Sequence, residues 1–407
     1  MMMSGKVCGG LVLAMVCSLP MMAQQAGTVS GHVTCGDTQR PARFATVVLL
    51  GVPQDTGPVT PPAAGVTGAK DTVKFVMDGG TVVLTETELD GSYWVGNVAP
   101  GDYYVFASVP GYVQPQAVVQ AAIDTGADPK KQLPGIPVVH VGGEGGASMD
   151  ITAQRGGAIS GHVTWDDGSP ASKAYVTAVS TKATGKNRPS DFMMLGMAEG
   201  LNSGGEVSIS DDLGQYRIAG LAPGEYVVKA TVLLHTGFAM QRGVMNVAEM
   251  DADKPLVVYA PGMFHKAEAK AVTVHAADEI TGEDLTIKVT GMHSVSGRVV
   301  SAEDGHGLNS GAVVLTDASD KDVVRGAGVD ASGNFTVGFV PPGTYNLTVS
   351  GGADTGPAKK TSSGPMQFMV PDTLQRYDGG KQSVAVGDSD VVGLNVALSP
   401  LKAAKSQ

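Results

Sequence analysis

Charged and aromatic residues are scarce in this chain, and each of these deficits excludes some classes of function. Charged residues make up 16% of the 407 residues, and acidic side chains outnumber basic ones by 39 to 28, which gives a net charge of −11. This balance provides no basic surface, so we expect no nucleic-acid partner. Aromatic residues make up 5% of the chain, too few for a broad aromatic binding surface. Hydrophobic residues reach 43%, which is enough for packed cores and excludes wholesale disorder.

Cysteine is also rare, and its positions limit cross-linking. The chain has three cysteines, of which Cys8 and Cys17 lie in the amino-terminal segment. If that segment is removed, only Cys35 remains and no internal disulfide can form. The Cys35 thiol is then either a small buried strand residue or a site of dimerisation.

The amino-terminal segment is typical of an export signal. Lys6 supplies a positive charge, an apolar run follows at residues 7–19, and Ala23 offers a cleavage point. We therefore predict a signal peptide at residues 1–23. The apolar run is short for a membrane span, and no later run approaches the roughly 18 apolar residues of a transmembrane helix. We expect the mature protein outside the cytoplasm: secreted, periplasmic or at the cell surface, with no transmembrane segment.

Internal repeats carry most of the structural information in the sequence. An opening motif centred on Ser-Gly occurs at residues 28–34, 158–164 and 294–300. A second motif, which ends in Pro-Gly-x-Tyr and the residues after it, occurs at residues 89–105, 212–228 and 331–347. These repeats predict three domains at residues 27–154, 155–290 and 291–400, called here the first, second and third units.

The second motif is typical of paired β-strands. In the second unit Tyr216 and Ile218 alternate with the polar Gln215 and Arg217, and a Pro-Gly turn follows. Proline presets the backbone before a bend and glycine accepts the bend itself, so we interpret the motif as a β-hairpin. Helix signal is scarce. The predicted fold class is all-β, with three tandem Ig-like or prealbumin-like antiparallel β-sandwiches.

Two long insertions interrupt this pattern. Residues 51–80 of the first unit are rich in Pro, Gly and Thr, and residues 181–205 of the second unit contain the best helix candidate, at residues 191–201. Loops of this length are usually functional or disordered. We expect poor order in much of the first insertion.

The Ser-Gly-x-Val opening and the D-x-x-G-x-[YF]-x-[VI]…P-G-x-Y-x-[VL] motif resemble the carboxypeptidase regulatory-like domain family. They are also close to transthyretin-like and Cna B-type domains. The resemblance covers essentially the whole chain after the signal, as three copies. It implies a prealbumin-like sandwich of the carbohydrate-binding-like group, found as accessory modules of peptidases and in surface stalks, and it is silent on activity.

Signatures of catalysis are missing from the sequence. There is no H-E-x-x-H zinc motif and no G-x-S-x-G nucleophile elbow. His32 and His162 alternate with buried-type valines in the opening motif, which places them on the outer face of a strand. We therefore predict no catalytic residues, no metal site and no cofactor, and a protein that is not an enzyme.

The three copies differ at the outward positions of the second motif. The first unit has Trp94, Tyr104 and Phe106 where the other units have mostly polar residues. If the motif is a hairpin, these rings share one face, and exposed rings favour a partner surface. They are then candidate ligand-binding residues, for instance for stacking against sugars. The alternative is that the 51–80 insertion or the neighbouring unit covers them.

Together these features predict an exported, non-catalytic modular protein whose sandwiches act as binding or spacer modules at the cell surface or envelope. Polysaccharide or envelope proteins are the expected partners. A structural or adhesive protein-interaction module is the alternative, as is an accessory subunit of a secreted peptidase, since a fold alone does not define function.

Overall fold

The computed structural model describes residues 26–52, 73–77, 80–114, 133, 136–143, 145–182, 207–234, 244–246, 254–363 and 366–401. The predicted signal peptide and the helix candidate at residues 191–201 lie outside these ranges. Within them the secondary structure is β-strand, with one short 3₁₀ turn at Lys266–Glu268 and no α-helix. The predicted all-β fold class is confirmed. No helix among the described residues is long and apolar enough to cross a membrane.

The strands fall into three groups along the chain. Those of the first unit are β1 Gly27–Cys35, β2 Thr46–Gly51, β3 Val73–Met77, β4 Gly80–Glu86, β5 Ser92–Val98, β6 Gly101–Ser108, β7 Val138–Val141, β8 Gly146–Ser148 and β9 Ile151–Ala153. Those of the second are β10 Gly157–Trp165, β11 Tyr175–Ser180, β12 Val207–Ile209, β13 Gln215–Leu221, β14 Gly224–Val232, β15 Val244–Asn246, β16 Leu256–Tyr259, β17 Ala271–Val274, β18 Glu279–Ile280 and β19 Leu285–Ile287. Those of the third are β20 His293–Ser301, β21 Ser310–Asp317, β22 Val324–Gly328, β23 Asn334–Val340, β24 Gly343–Ser363, β25 Met366–Arg376, β26 Lys381–Val386 and β27 Val391–Leu398.

Each group forms two facing sheets. The smaller sheet has the orders β5-β1-β8, β13-β10-β18 and β23-β20-β27, with β9 and β19 also pairing with β1 and β10. The larger sheet has the orders β3-β4-β2-β6-β7, β12-β11-β14-β16 and β25-β24-β21-β22, and β17 and β26 also pair with β14 and β24. Strand β15 of the second group pairs with β25 at the edge of the third group's larger sheet. The closing strands β8, β9, β18, β19 and β27 run parallel to the opening strand of their unit, so the smaller sheet is mixed.

A separate hydrophobic core lies in each unit. In the first, Val29 and Val33 of β1 share a core with Leu49 of β2 and Val95 of β5, and all four are fully buried. The alternation of buried and exposed residues along β1 shows how a period-two pattern gives one apolar face. Cys35 is buried in this core, which confirms it as a small strand residue. The domain boundaries near residues 155 and 291 stay a prediction.

The Pro-Gly segment differs from the predicted hairpin. Strand β5 pairs with β1, whereas β6 pairs with β2 and β7, so the two strands joined by Pro100-Gly101 belong to different sheets. The same holds for β13 and β14, and for β23 and β24. The hairpin interpretation was wrong because the Pro-Gly segment carries the chain across the sandwich, and each strand finds its partner elsewhere.

The tyrosine after each Pro-Gly fixes this crossing. Its phenol donates a hydrogen bond to the carbonyl four residues earlier. The three bonds are Tyr103 to Ala99 (2.9 Å), Tyr226 to Ala222 (2.8 Å) and Tyr345 to Pro341 (2.9 Å). The rings are buried in their units, so each tyrosine anchors the loop to the core beneath it.

The glycine of each Ser-Gly pair lies where two backbones come close together. A Cβ on Gly31 would overlap the carbonyl of Met149, one on Gly161 that of Glu283, and one on Gly297 that of Leu394. These carbonyls belong to the closing segment that runs beside the opening strand. The glycine allows the close approach of the two backbones, which explains why the motif recurs.

Part of the first insertion is ordered into the larger sheet. Strands β3 and β4 form an antiparallel pair, and β4 pairs with β2. The other residues of 51–80, apart from Gly51 and Val52, and nearly all of 181–205, lie outside the described ranges, so the expected poor order stays a prediction.

Candidate binding face on the first unit

The three aromatic residues predicted as a ligand-binding set do not share one face. Trp94 lies on β5 in the smaller sheet, whereas Tyr104 and Phe106 lie on β6 in the larger sheet. Because β5 and β6 belong to opposite sheets, the outward positions of the two strands point away from each other. The predicted single face was wrong for the same reason as the hairpin.

Tyr104 and Phe106 are covered by their own unit. Tyr104 is 1% exposed and forms a small cluster with Leu133 and Ile136, against which Phe106 also packs. The backbone amide of Leu133 donates to the Tyr104 phenol at 2.5 Å. The cover includes the segment before β7, so these two rings are structural.

Trp94 is exposed on the outer face of the smaller sheet. Its side chain has 55% of its surface accessible to solvent. The indole lies across Gly96, where a Cβ would overlap the six-membered ring. The ring is therefore folded along the strand, with one side against the Gly96 backbone, which leaves the opposite side for a ligand.

Two serines lie in the same row as this ring, on the adjacent strands to one side of it. Ser30 of β1 lies directly opposite Trp94, and Ser148 of β8 lies beside Ser30. Three adjacent strands at about 4.8 Å spacing make this row about 10 Å wide. The preceding residue of β8 on the same face is Gly146, which has no side chain to rise above the sheet. The face combines one flat ring with hydroxyl donors and acceptors.

The position equivalent to Trp94 is occupied by a polar residue in each of the other two units. In the second unit Arg217 lies opposite Ser160, and its guanidinium bonds Glu279 at 2.5 Å. In the third unit Thr336 lies opposite Ser296. Only the first unit, among the described residues, places an aromatic ring opposite the serine of the Ser-Gly pair.

Charged groups flank the Trp94 face at one end. The backbone amide of His32 donates to Asp150 at 2.8 Å, and the His32 ring lies 3.7 Å from the same carboxylate oxygen. Hydrogen bonds from Ser92 hold the pKa of Asp90 below its usual value. Beneath the face, burial raises the pKa of Tyr93 to about 12, so its phenol stays protonated and donates to Met149. The predicted outer position of His32 is confirmed, as is that of His162.

Acidic turns elsewhere bind their own backbone. Asp211 accepts the amides of Leu213 and Gln215, and Asp167 accepts the amide and the hydroxyl of Ser169. No group of three or more His, Cys, Asp or Glu residues in the described part of the chain is arranged to hold a metal ion. These carboxylates shape turns.

One cluster was not predicted from the sequence. His306 bonds Asp304 at 2.5 Å and Asp354 at 3.0 Å through its two ring nitrogens, and Tyr377 donates to Asp354 at 2.7 Å. Asp354 and Tyr377 lie at the base of the β24–β25 hairpin. Only Asp304 is close to His306 in sequence, so no local pattern could have indicated the group.

The fold and these repeated features define a class: multi-unit β-sandwich proteins built from one repeated domain. Residues 294–399 match the family model described as carboxypeptidase regulatory-like domain. The resemblance stated from the repeats is confirmed on the third unit.

Solved structures give matches of low overall similarity. They include the Bacillus anthracis TIE protein (13% identity, 92% of this chain, 51% of the other, TM-score 0.20) and a streptococcal ancillary pilin (13%, 92%, 99%, TM-score 0.26). A third is the minor pilin GBS52 of Streptococcus agalactiae (14%, 65%, 95%, TM-score 0.25). The chain thus spans about half the length of the TIE protein. Comparison with curated proteins finds no match.

Proposed function

We propose that this chain is an exported, non-catalytic protein whose first unit binds a carbohydrate through Trp94, while the three units together hold that site away from their point of attachment. The observation that carries the proposal is the exposed indole that lies across Gly96 on an otherwise polar sheet. A ring in this position offers its open side to the C–H face of a sugar.

The neighbouring side chains favour a sugar over an apolar partner. Ser30 and Ser148 present hydroxyl groups beside the ring, and His32 with Asp150 lies at one end of the face. A sugar has one apolar face and a rim of hydroxyls, which matches a flat ring edged by polar groups. An apolar protein partner would need a larger hydrophobic core in its interface.

The test is binding of the full chain to a panel of soluble polysaccharides by affinity electrophoresis, with xyloglucan, galactomannan, mixed-linkage β-glucan and polygalacturonate in the gel. We expect retardation by at least one of them. Trp94→Ala should remove it, with an affinity loss of about tenfold or more, and Trp94→Phe should retain part of it. Arg217→Ala is the matched control, because Arg217 occupies the same register in the second unit. Equal retardation of wild type and Trp94→Ala would contradict the proposal.

A structural spacer is the second candidate, and the contact between the first two units favours it. The Arg155 guanidinium lies 5.1 Å above the Tyr112 ring, and Tyr112 donates to Asp37 at 2.7 Å. The amide of Gly156 also donates to the carbonyl of Gly111. A spacer without ligand would show no retardation by any polysaccharide and would still scatter X-rays as an elongated particle.

A further inference from the structure

The second and third units meet at a contact built largely from charged groups. Arg325 of β22 is 3% exposed, and its guanidinium donates to the carbonyls of Gly338 in its own unit and Lys254 in the second unit. Across the same contact, the amide of Lys266 donates to Asp320 at 3.1 Å. Strand β15 of the second unit also pairs with β25 of the third. The units are therefore joined by bonds well beyond the connecting peptide.

His265 stands at the centre of this contact with a carboxylate facing each ring nitrogen. Its Nε2 lies 3.5 Å from Asp317 of the third unit, and its Nδ1 lies 3.6 Å from Glu268 of its own turn. The Nε2 atom is buried without a hydrogen-bond partner. A neutral imidazole carries one N–H, so one of its nitrogens must turn a lone pair toward a carboxylate. Only the doubly protonated ring can donate to both.

Asp317 keeps its charge in this setting. Burial works to raise the pKa of Asp317, but hydrogen bonds from Ser319 and from the amide of Asp320 outweigh it, and the net direction is downward. The carboxylate is 4% exposed, so it is poorly solvated on the side that faces His265. A cation beside it would replace solvent that the fold excludes.

The described charged groups nearest the His265 ring are carboxylates. Asp317 and Glu268 face its two nitrogens, and Asp320 accepts the backbone amide of the next residue, Lys266. The Arg325 guanidinium lies at the same contact, bonded to the carbonyls of Lys254 and Gly338. A proton on His265 adds one N–H, so that each of the two facing carboxylates then has a donor opposite it.

We propose that the contact between the second and third units is a pH-sensitive joint, which is tightened when His265 takes up a proton and loosened when it loses one. The proposal is independent of sugar binding. The changing bonds lie between the turn at His265 and the end of β21, so each sandwich keeps its internal fold while the freedom of one unit relative to the other changes.

The joint can be tested by distance measurements between the two units in the full chain. Spin labels on Leu213→Cys and Val392→Cys, both exposed positions, report the separation once Cys8, Cys17 and Cys35 are replaced by alanine. We expect one narrow distance distribution at about pH 5.5 and a broader one at about pH 8. His265→Gln should be broad at both pH values, whereas His306→Gln, which removes a histidine inside the third unit, should keep the response.

Two results would overturn the joint: a wild-type distribution that is the same at both pH values, or a His265→Gln response equal to that of the wild type. Glu268→Gln provides a second test should His265→Gln fail to fold, because Glu268 is more than half exposed and its replacement does not disturb a core. It should weaken the pH response, and an undiminished response would count against the proposal.

Discussion

The phenol of Tyr345 donates a hydrogen bond to the carbonyl of Pro341, four residues earlier, at 2.9 Å. This bond spans the Pro-Gly crossing between the two sheets, and equivalent bonds occur at Tyr103 and Tyr226. The crossing is thus fixed by one side chain that is itself held in the core. The recurring Pro-Gly-x-Tyr sequence is the signature of that arrangement.

Tyr345→Phe should destabilise the third unit by about 1 kcal/mol, because one buried hydrogen bond is lost while the ring keeps its packing. Hydrogen exchange of the full chain in increasing urea, followed by mass spectrometry on peptides from β20 to β27, measures the change. Thr336→Val, an outward change on β23, serves as control. If Tyr345→Phe is as stable as the wild type, the bond does not hold the crossing.

The glycine of the opening motif should tolerate no side chain. Gly297→Ala places a Cβ against the Leu394 backbone, which must move away from β20, and we expect a loss of about 2–3 kcal/mol. Gly338→Ala is the matched control, because a Cβ at that position meets nothing within 4 Å. The same exchange measurement compares the two. Equal effects of the two substitutions would contradict the close-approach explanation.

Substitutions at Tyr104 and Trp94 should differ in their effect on stability, because only the Tyr104 ring is buried in the first unit. Tyr104→Phe removes the acceptor of the buried Leu133 amide and should cost about 1–3 kcal/mol in the first unit. Trp94→Ala removes an exposed ring and should change the unfolding free energy by less than about 0.5 kcal/mol. Hydrogen exchange of the β1 to β7 peptides distinguishes them. A large loss of stability in Trp94→Ala would mean that its ring is part of the fold.

Much of the fold follows from the sequence, and what does not follow has a specific physical cause. Alternation of Val29 and Val33 with polar residues identifies the inner face of β1, and the copies give the three-unit plan. The Pro-Gly turn is ambiguous, because a hairpin and a crossing need the same bend and differ only in which distant strands pair. Alternation likewise indicates which way the side chains of Tyr104 and Trp94 point, but it does not indicate which residues cover them.

The candidate site was therefore predicted only in part. Trp94 is exposed, which is one of the two alternatives left open by the sequence, while Tyr104 is covered by Leu133, which lies 29 residues further along the chain. The contact between the indole and Gly96 could have been predicted, since a glycine two residues after an outward tryptophan leaves room for the ring. The His306 and Asp354 pair has no such signal in the sequence, because it depends on how β24 bends.

The His306 cluster should make the stability of the third unit depend on pH. Hydrogen bonds to Asp304 and Asp354 raise the pKa of His306 above its usual value. The protonated ring is then favoured in the folded state, so its contribution is fully present below the unfolded-state pKa of about 6.5 and is lost as pH rises through the higher folded-state pKa. His306→Gln should flatten this dependence.

The measurement is the pH profile of the unfolding free energy of the third unit between about pH 5.5 and pH 9. His162→Gln is the control, since His162 is exposed on the second unit. An unfolding free energy of the third unit that rises with pH across this window would contradict the prediction.

Tryptophan fluorescence tests the proposed sugar site most directly, because the chain has only two tryptophans, Trp94 and Trp165. Trp165→Phe leaves Trp94 as the single indole. Trp165 lies at the end of β10 and packs against the core of the second unit, away from the proposed site on the first unit. On titration with the polysaccharide that retards the chain most, we expect Trp94 emission at shorter wavelength and weaker quenching by acrylamide. Retardation of the chain with no change in Trp94 emission or quenching would contradict the proposed sugar site.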